Sequence, residues 1–252
     1  MGYVLITGAS SGIGYELAKQ FAMHGESLII SATNLQRLES VKKELEEQFF
    51  VDVVVVAEDL SQKGAATELY RKIKEQNLTV SVLINNAGFG CVGEFVDIPL
   101  SFEESMMMVN MVNLVGLTKL FLSEMKDSGA GKILNVASTG AFQPGPWIAS
   151  YYATKAFVFN FSEAIRMEYK KYGVKISTLC PGATKTNFTK RAGKGQMKHA
   201  MEASKVAEIA YRKFNRNKKI IIPGIMNRLG QVPPRWLRSL FVEKLQKRLA
   251  RN

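Results

Sequence analysis

The chain has 252 residues, 46% of them hydrophobic, which suits a single α/β domain with a substantial core. It shows no run of about 18 apolar residues, no secretory leader before the first apolar segment, and no disulfide or metal pattern in Cys91 and Cys180. The net charge of +12 is uneven: residues 1–184 carry 16 Lys/Arg against 19 Asp/Glu, and residues 185–252 carry 18 against 3.

Strand and helix signals alternate along the chain. Short β-branched runs fall at Val4–Thr7, Leu28–Ser31, Val51–Ala57, Val80–Ile84, Lys132–Val136, Lys175–Leu179 and Lys219–Ile222. Their continuous apolar character predicts strands buried on both faces of a parallel sheet. Helical patterns lie between them, at Gly14–Met23, Asn34–Gln48, Gly64–Gln76, Phe102–Lys126, Tyr151–Tyr172 and Glu202–Asn215. The expected fold is a single-domain Rossmann fold, a doubly wound parallel sheet of seven strands with helices on both faces. The polar segment from Lys185 to about residue 204 reads as a substrate lid.

The first strand runs into Thr7-Gly8-Ala9-Ser10-Ser11-Gly12-Ile13-Gly14, which opens a helix. Gly8 permits a tight turn, Gly12 a close backbone approach to a pyrophosphate, and Gly14 tight packing of helix on sheet. The second strand ends Ser31-Ala32-Thr33-Asn34, with no carboxylate for a ribose 2′-hydroxyl, which favours NADP over NAD. Thr33 also lacks the basic side chain that would meet a 2′-phosphate. Ser10, Ser11, Thr33, Asn34 and Arg37 are the candidates to supply those contacts.

Tyr151 and Lys155 stand one helical turn apart, thirteen and seventeen residues after Ser138. A free tyrosine titrates near 10, so acid/base work at neutral pH needs that value lowered by roughly three. A cation about 6 Å away at an effective dielectric of about 20 supplies near 3 kcal/mol toward this. Tyr151 is therefore the expected proton donor, and Ser138 the hydroxyl that holds the substrate oxygen. Tyr152 has Ala156 one turn on and lacks the adjacent cation.

These residues together resemble the short-chain dehydrogenase/reductase family, and the likeness covers nearly the whole chain. It rests on Thr7–Gly14, Asp59-Leu60, Asn85-Asn86-Ala87-Gly88, Asn113-Leu114-Val115-Gly116, Ser138, Tyr151/Lys155 and Pro181-Gly182 with Thr186. The resemblance implies hydride transfer between a nicotinamide cofactor and a carbonyl or alcohol. It implies adenine contacts from Asp59 and Leu60, and cofactor contacts from Ile13, Asn86, Ala87, Gly88, Pro181, Gly182, Thr184 and Thr186. It further implies a fourth catalytic residue that holds a water in a relay to Lys155. The Asn-x-x-Gly spacing favours Asn113 for that role, with Asn110 as the competitor. A more specific likeness is to the bacterial ketoacyl- and ketosteroid-reductase-like branch. A catalytically silent dinucleotide sensor is the alternative function. Sugar-nucleotide epimerisation is disfavoured by the short length and the glycine spacing.

Candidate substrate walls are Phe89, Cys91, Gln143, Pro144, Trp147, Phe188 and Met197, mostly apolar, which suggests a lipid-like, steroid-like or aromatic ketone. After Pro233-Pro234, Leu237, Phe241, Leu245 and Leu249 recur at every fourth position among Arg238, Lys244, Lys247 and Arg248. This reads as a basic amphipathic helix over residues 233–252, able to lie on an anionic membrane, on the pocket or on a second subunit. The basic balance also fits an anionic substrate or a solvated face, whereas no motif accompanies it that would bind nucleic acid. Ile6 stands where a myristoylation signal would need Ser or Thr, and the cytoplasm is the expected compartment. The family resemblance implies a homo-oligomer.

Overall fold

A computed structural model describes residues 2–186, 188 and 200–250. Strands β1 (Tyr3–Thr7), β2 (Leu28–Ala32), β3 (Val53–Ala57), β4 (Val80–Asn85), β5 (Gly131–Val136), β6 (Val174–Leu179) and β9 (Ile220–Ile221) form one sheet. All pairings in it are parallel and the order is β3-β2-β1-β4-β5-β6-β9. The chain builds outward from β1 to β3, then returns to place β4 on the other side of β1. That reversal opens a crevice at the carboxyl ends of β1 and β4.

Both faces of the sheet are covered. Val4 and Ile6 point into one apolar layer with Leu17, Phe21 and Phe214. Leu5, between them, points into the other with Leu69, Leu117 and Phe121. The strands read as unbroken apolar runs because alternate residues feed opposite layers. Helices α1 (Gly12–Met23), α2 (Leu35–Phe49) and α7 (Ala203–Asn215) cover the first layer. Helices α3 (Ala65–Glu75), α5 (Asn113–Asp127) and α6 (Ala149–Tyr169) cover the second. The Phe21 ring meets those of Tyr211 and Phe214 edge-on, at 5.0 and 6.3 Å, and ties α1 to α7.

The structure departs from the sequence reading in three places. The single helix expected over Phe102–Lys126 is α4 (Leu100–Met107), a π-helical turn (Met108–Val112) and then α5. Residues Leu100–Asp127 together are long and apolar enough by length and composition to cross a bilayer. Here they pack on the sheet, with Leu117, Phe121, Leu122 and Met125 buried. The lid segment is bracketed by a short parallel pair, β7 (Thr184–Lys185) with β8 (Met201–Glu202). Met197 lies outside the described residues, as does most of that segment. Finally, a short helix α8 (Ile225–Leu229), absent from the sequence reading, precedes the expected C-terminal helix α9 (Arg235–Ala250).

Candidate active site

One cavity of about 1120 Å³ runs across the carboxyl ends of the strands. Gly8, Ser10, Ser11, Gly12, Ile13, Thr33, Asn34, Asp59 and Leu60 line one end. Ser138, Tyr151 and Lys155 stand in the middle, and α8 and α9 close the other end. Nearly all the residues expected at the site therefore meet in one space, among them Asn86, Ala87, Gly88, Pro181, Gly182, Thr184 and Thr186.

The dinucleotide end is built from backbone. Gly8 and Gly12 have φ of 66° and 60°, the left-handed region where a side chain is strained. A Cβ on Gly14 would sit 2.3 Å from the Gly8 carbonyl oxygen, so only glycine lets α1 start this close to β1. Among the described residues no side-chain hydrogen bond caps the first turn of α1, and no acidic residue stands in that turn. Its N–H groups and positive dipole end remain available to an anion, which fits a pyrophosphate. Thr7 Oγ1 accepts from the backbone N–H groups of Asn86 and Ala87, each at 3.0 Å, and Asn86 Nδ2 donates to the Thr7 carbonyl at 2.9 Å. These bonds lock β1 to β4 at the crevice. Arg37 is exposed and does not line the cavity, but its Nε donates to the Ser10 carbonyl at 3.3 Å. Asn34 caps α2 by accepting from the Arg37 backbone N–H at 2.8 Å. Asp59 accepts the Ser61 N–H at 2.9 Å, and this bond holds its carboxyl below the usual range.

Tyr151 and Lys155 project from the first turns of α6. Lys155 is 4% exposed, donates to the Val136 carbonyl at 2.9 Å and lies 5.8 Å from the centre of the Tyr151 ring. Ser138, two residues after β5, sits in extended backbone and accepts the Gly140 N–H at 3.0 Å. Burial pushes the Tyr151 phenol well above 10, opposed by its hydrogen bond with Ser138. The same burial pulls Lys155 down to about 8. The lowering of Tyr151 expected from Lys155 is not found: desolvation raises the phenol, and Ser138 alone opposes it.

Asn113 does not reach the cavity. Its Oδ1 accepts from the Ala66 N–H at 3.0 Å, and its Nδ2 donates to the carbonyls of Leu60 and Gln62 at 2.8 and 2.9 Å. With its amide saturated beneath α3, Asn113 has a bracing role, and its assignment to the relay is corrected. Asn110, in the π-helical turn, stands beside Lys155 instead, although it too is fully buried and does not line the cavity. Its Oδ1 accepts from the Phe89 N–H at 3.1 Å, and its Nδ2 donates to the Phe89 carbonyl and to Thr154 Oγ1, both at 3.0 Å. A Cβ on Gly88 would lie 3.0 Å from Asn110 Oδ1 and 3.1 Å from Lys155 Nζ, so the two flank one spot.

Of the expected substrate walls, Phe89, Gln143 and Phe188 line the cavity. Cys91 and Trp147 instead line a separate pocket of about 20 Å³ behind Tyr151, and Pro144 lines neither. Tyr152 is a wall residue whose ring is gripped by Gly140 and Gly145, where a Cβ would come within 2.9 and 2.5 Å. The C-terminal helix, one of whose expected positions was on the pocket, supplies the roof together with the segment just before it, through residues not named as walls: Met226, Gln231, Leu237, Arg238, Phe241 and Leu245 all line the cavity. The i+4 repeat of Leu237, Phe241 and Leu245 pointed to it, but the α9 residues buried at the cavity are Val242 and Gln246, and Leu237 and Phe241 line it while remaining exposed. The Leu249 side chain lies outside the described residues.

The family model for short chain dehydrogenases matches residues 2–197. The very-long-chain 3-oxoacyl-CoA reductase-B of Danio rerio is 31% identical over 194 residues, covering 75% of this chain and 61% of the relative's length. Among solved structures, a short-chain dehydrogenase from Sphingobium yanoikuyae in complex with NADPH is 31% identical with a TM-score of 0.85, over 89% of this chain and 88% of the other. The bulky-bulky ketone specific alcohol dehydrogenase from Comamonas testosteroni is 29% identical with a TM-score of 0.81, over 96% and 94%.

Proposed function

The chain belongs to the short-chain dehydrogenase family, and from that premise we propose that it reduces bulky apolar ketones to secondary alcohols with NADPH. The observation that carries this reading is the single cavity. It joins an uncapped helix N-terminus to Ser138, Tyr151 and Lys155 and then to an apolar roof. When bound, a reduced nicotinamide supplies the hydride. Ser138 donates a hydrogen bond to the ketone oxygen and steadies the developing negative charge. Tyr151, kept protonated by burial, releases its phenolic proton to that oxygen. Lys155 returns a proton to Tyr151, and Asn110 takes the relay position beside it. An elevated phenol value suits the reductive direction, because the donor stays loaded at neutral pH.

The preference for NADPH rests on the missing carboxylate at the end of β2 and on Arg37 beside the Ser10 turn. Two proposals about partners go with this reading. The exposed apolar side chains Val112, Phe157 and Met167 suit a homo-oligomer built through α5 and α6. On α9, exposed Trp236, Leu240 and Phe241 with Arg235, Lys244 and Lys247 nearby suit peripheral contact with an anionic membrane.

The test is oxidation of NADPH and of NADH, side by side, against 3-ketoacyl thioesters, ketosteroids, aromatic ketones and small aldehydes. We expect turnover of bulky ketones with NADPH preferred, a loss of roughly 10²–10⁴-fold in Tyr151→Phe, and a KM for NADPH raised selectively in Arg37→Ala. Tight cofactor binding without turnover on any ketone would overturn the reading in favour of a sensor.

A further inference from the structure

The substrate end of the cavity holds one charge that ketone reduction does not use. Arg238, on the cavity-facing side of α9, is half-buried among the wall residues. Its Nη1 donates to Gln231 Oε1 at 2.8 Å and more loosely to Gln143 Oε1 at 3.4 Å. Its Nε is buried with no acceptor among the described residues. A guanidinium stays charged at any working pH and carries five donors in a rigid fork. Two neutral amide oxygens satisfy part of that fork and none of the charge.

No carboxylate of the described residues comes within ion-pair distance of Arg238. The acidic residues that line the cavity, Glu58 and Asp59, follow β3 at the dinucleotide side, and Glu58 is already paired with Lys72 at 2.7 Å. The sequence of residues 187–199 contains no Asp or Glu. A cation held in a largely apolar wall without a counter-charge costs the fold. The two glutamines aim it while leaving a donor free, which is the arrangement of a prepared anion site.

We propose that Arg238 binds an anionic group on the ketone substrate, either the carboxylate of a keto acid or a phosphate of a nucleotide-carrier thioester. The proposal rests on the ketone-reductase reading and narrows it: the substrate is an amphiphile whose charged end docks on α9 while its carbonyl meets Ser138 and Tyr151. Gln143 and Gln231 act as positioning residues that orient the fork.

The experiment compares matched pairs in wild type, Arg238→Gln and Arg238→Lys. One pair is a long-chain keto acid and its methyl ester; the other is a 3-ketoacyl-CoA and its neutral N-acetylcysteamine thioester. We expect wild type to favour the charged member of a pair by roughly 10- to 100-fold in kcat/KM, carried mainly by KM. In Arg238→Gln that ratio should fall toward one, and Arg238→Lys should restore part of it. Which pair shows the ratio identifies the anion. Equal rates within both pairs in wild type, or a ratio that survives in Arg238→Gln, would overturn the proposal. Thermal protection by the keto acid and by the CoA ester is read in parallel and needs no turnover. If no ketone is reduced, the reductase reading fails. Protection lost in Arg238→Gln would then still support the anion site, and no protection in wild type would sink it.

Discussion

Lys155 concentrates the conflict between stability and chemistry in this protein. Held at about 8 instead of 10.5, its ammonium is disfavoured by burial. The folded value lies below the unfolded one, so between about pH 8 and 10.5 the unfolded chain binds more protons and stability rises with pH. Below pH 8 the full cost is present, roughly 3 kcal/mol. Lys155→Met should therefore raise the thermal midpoint at pH 7, offset in part by the lost bond to the Val136 carbonyl, while turnover falls by roughly 10²–10⁴-fold. A lower midpoint at pH 7 would refute the burial argument. Proton return through the same lysine should make reductive kcat/KM decline above about pH 8. At this scale the sequence was legible for Ser138, Tyr151 and Lys155, because their spacing is itself the chemistry. It was not legible for Asn110 against Asn113. Both stand in the same apolar segment, and only the π-helical turn decides which amide meets Lys155 and which braces α3.

Among the elements, the strands were readable from their apolar runs and the turns from their glycines. The break between α4 and α5 was not, since Met106-Met107-Met108-Val109 contains no helix breaker. The extra residue per turn is imposed from outside, by the bonds of Asn110 to Phe89 and Thr154. The loop after β4 is equally constrained by packing. A Cβ on Gly90 would lie 2.6 Å from Tyr151 Cδ2, so Gly90→Ala must push the ring. A displacement of about 1 Å at the donor predicts a loss of roughly hundredfold in kcat, with cofactor affinity little changed. Equal losses in kcat and in cofactor binding would mean the loop, not the ring, had moved.

Across the whole molecule, charge is segregated, and one cluster of exposed apolar groups lies with it. The basic excess lies after residue 184, and the exposed apolar groups Ile225, Met226, Leu229, Val232, Trp236 and Phe241 lie in the same quarter. A basic surface with exposed aromatics predicts salt-sensitive binding to anionic vesicles and little binding to neutral ones. Flotation of the full chain and of a chain lacking residues 235–252 checks this. Binding that persists in the truncated chain would rule out α9 as the contact. The sequence displayed the charge and the repeat of Leu237, Phe241 and Leu245, but left open what they faced, because periodicity fixes a stripe without fixing its partner. In the structure those three side chains and Leu240 line the cavity, while Trp236 lies outside it and Phe241 stays largely exposed at its rim.

The match to the family stops at residue 197, whereas α8 and α9 occupy residues 225–250. Proton donor, lysine and glycine turn fall inside that match, and the roof over the substrate falls outside it. No roof residue supplies a catalytic atom. For an engineer this is a seam: chimeras joined after β9 would exchange appetite for one ketone or another while keeping a single reduction machine beneath.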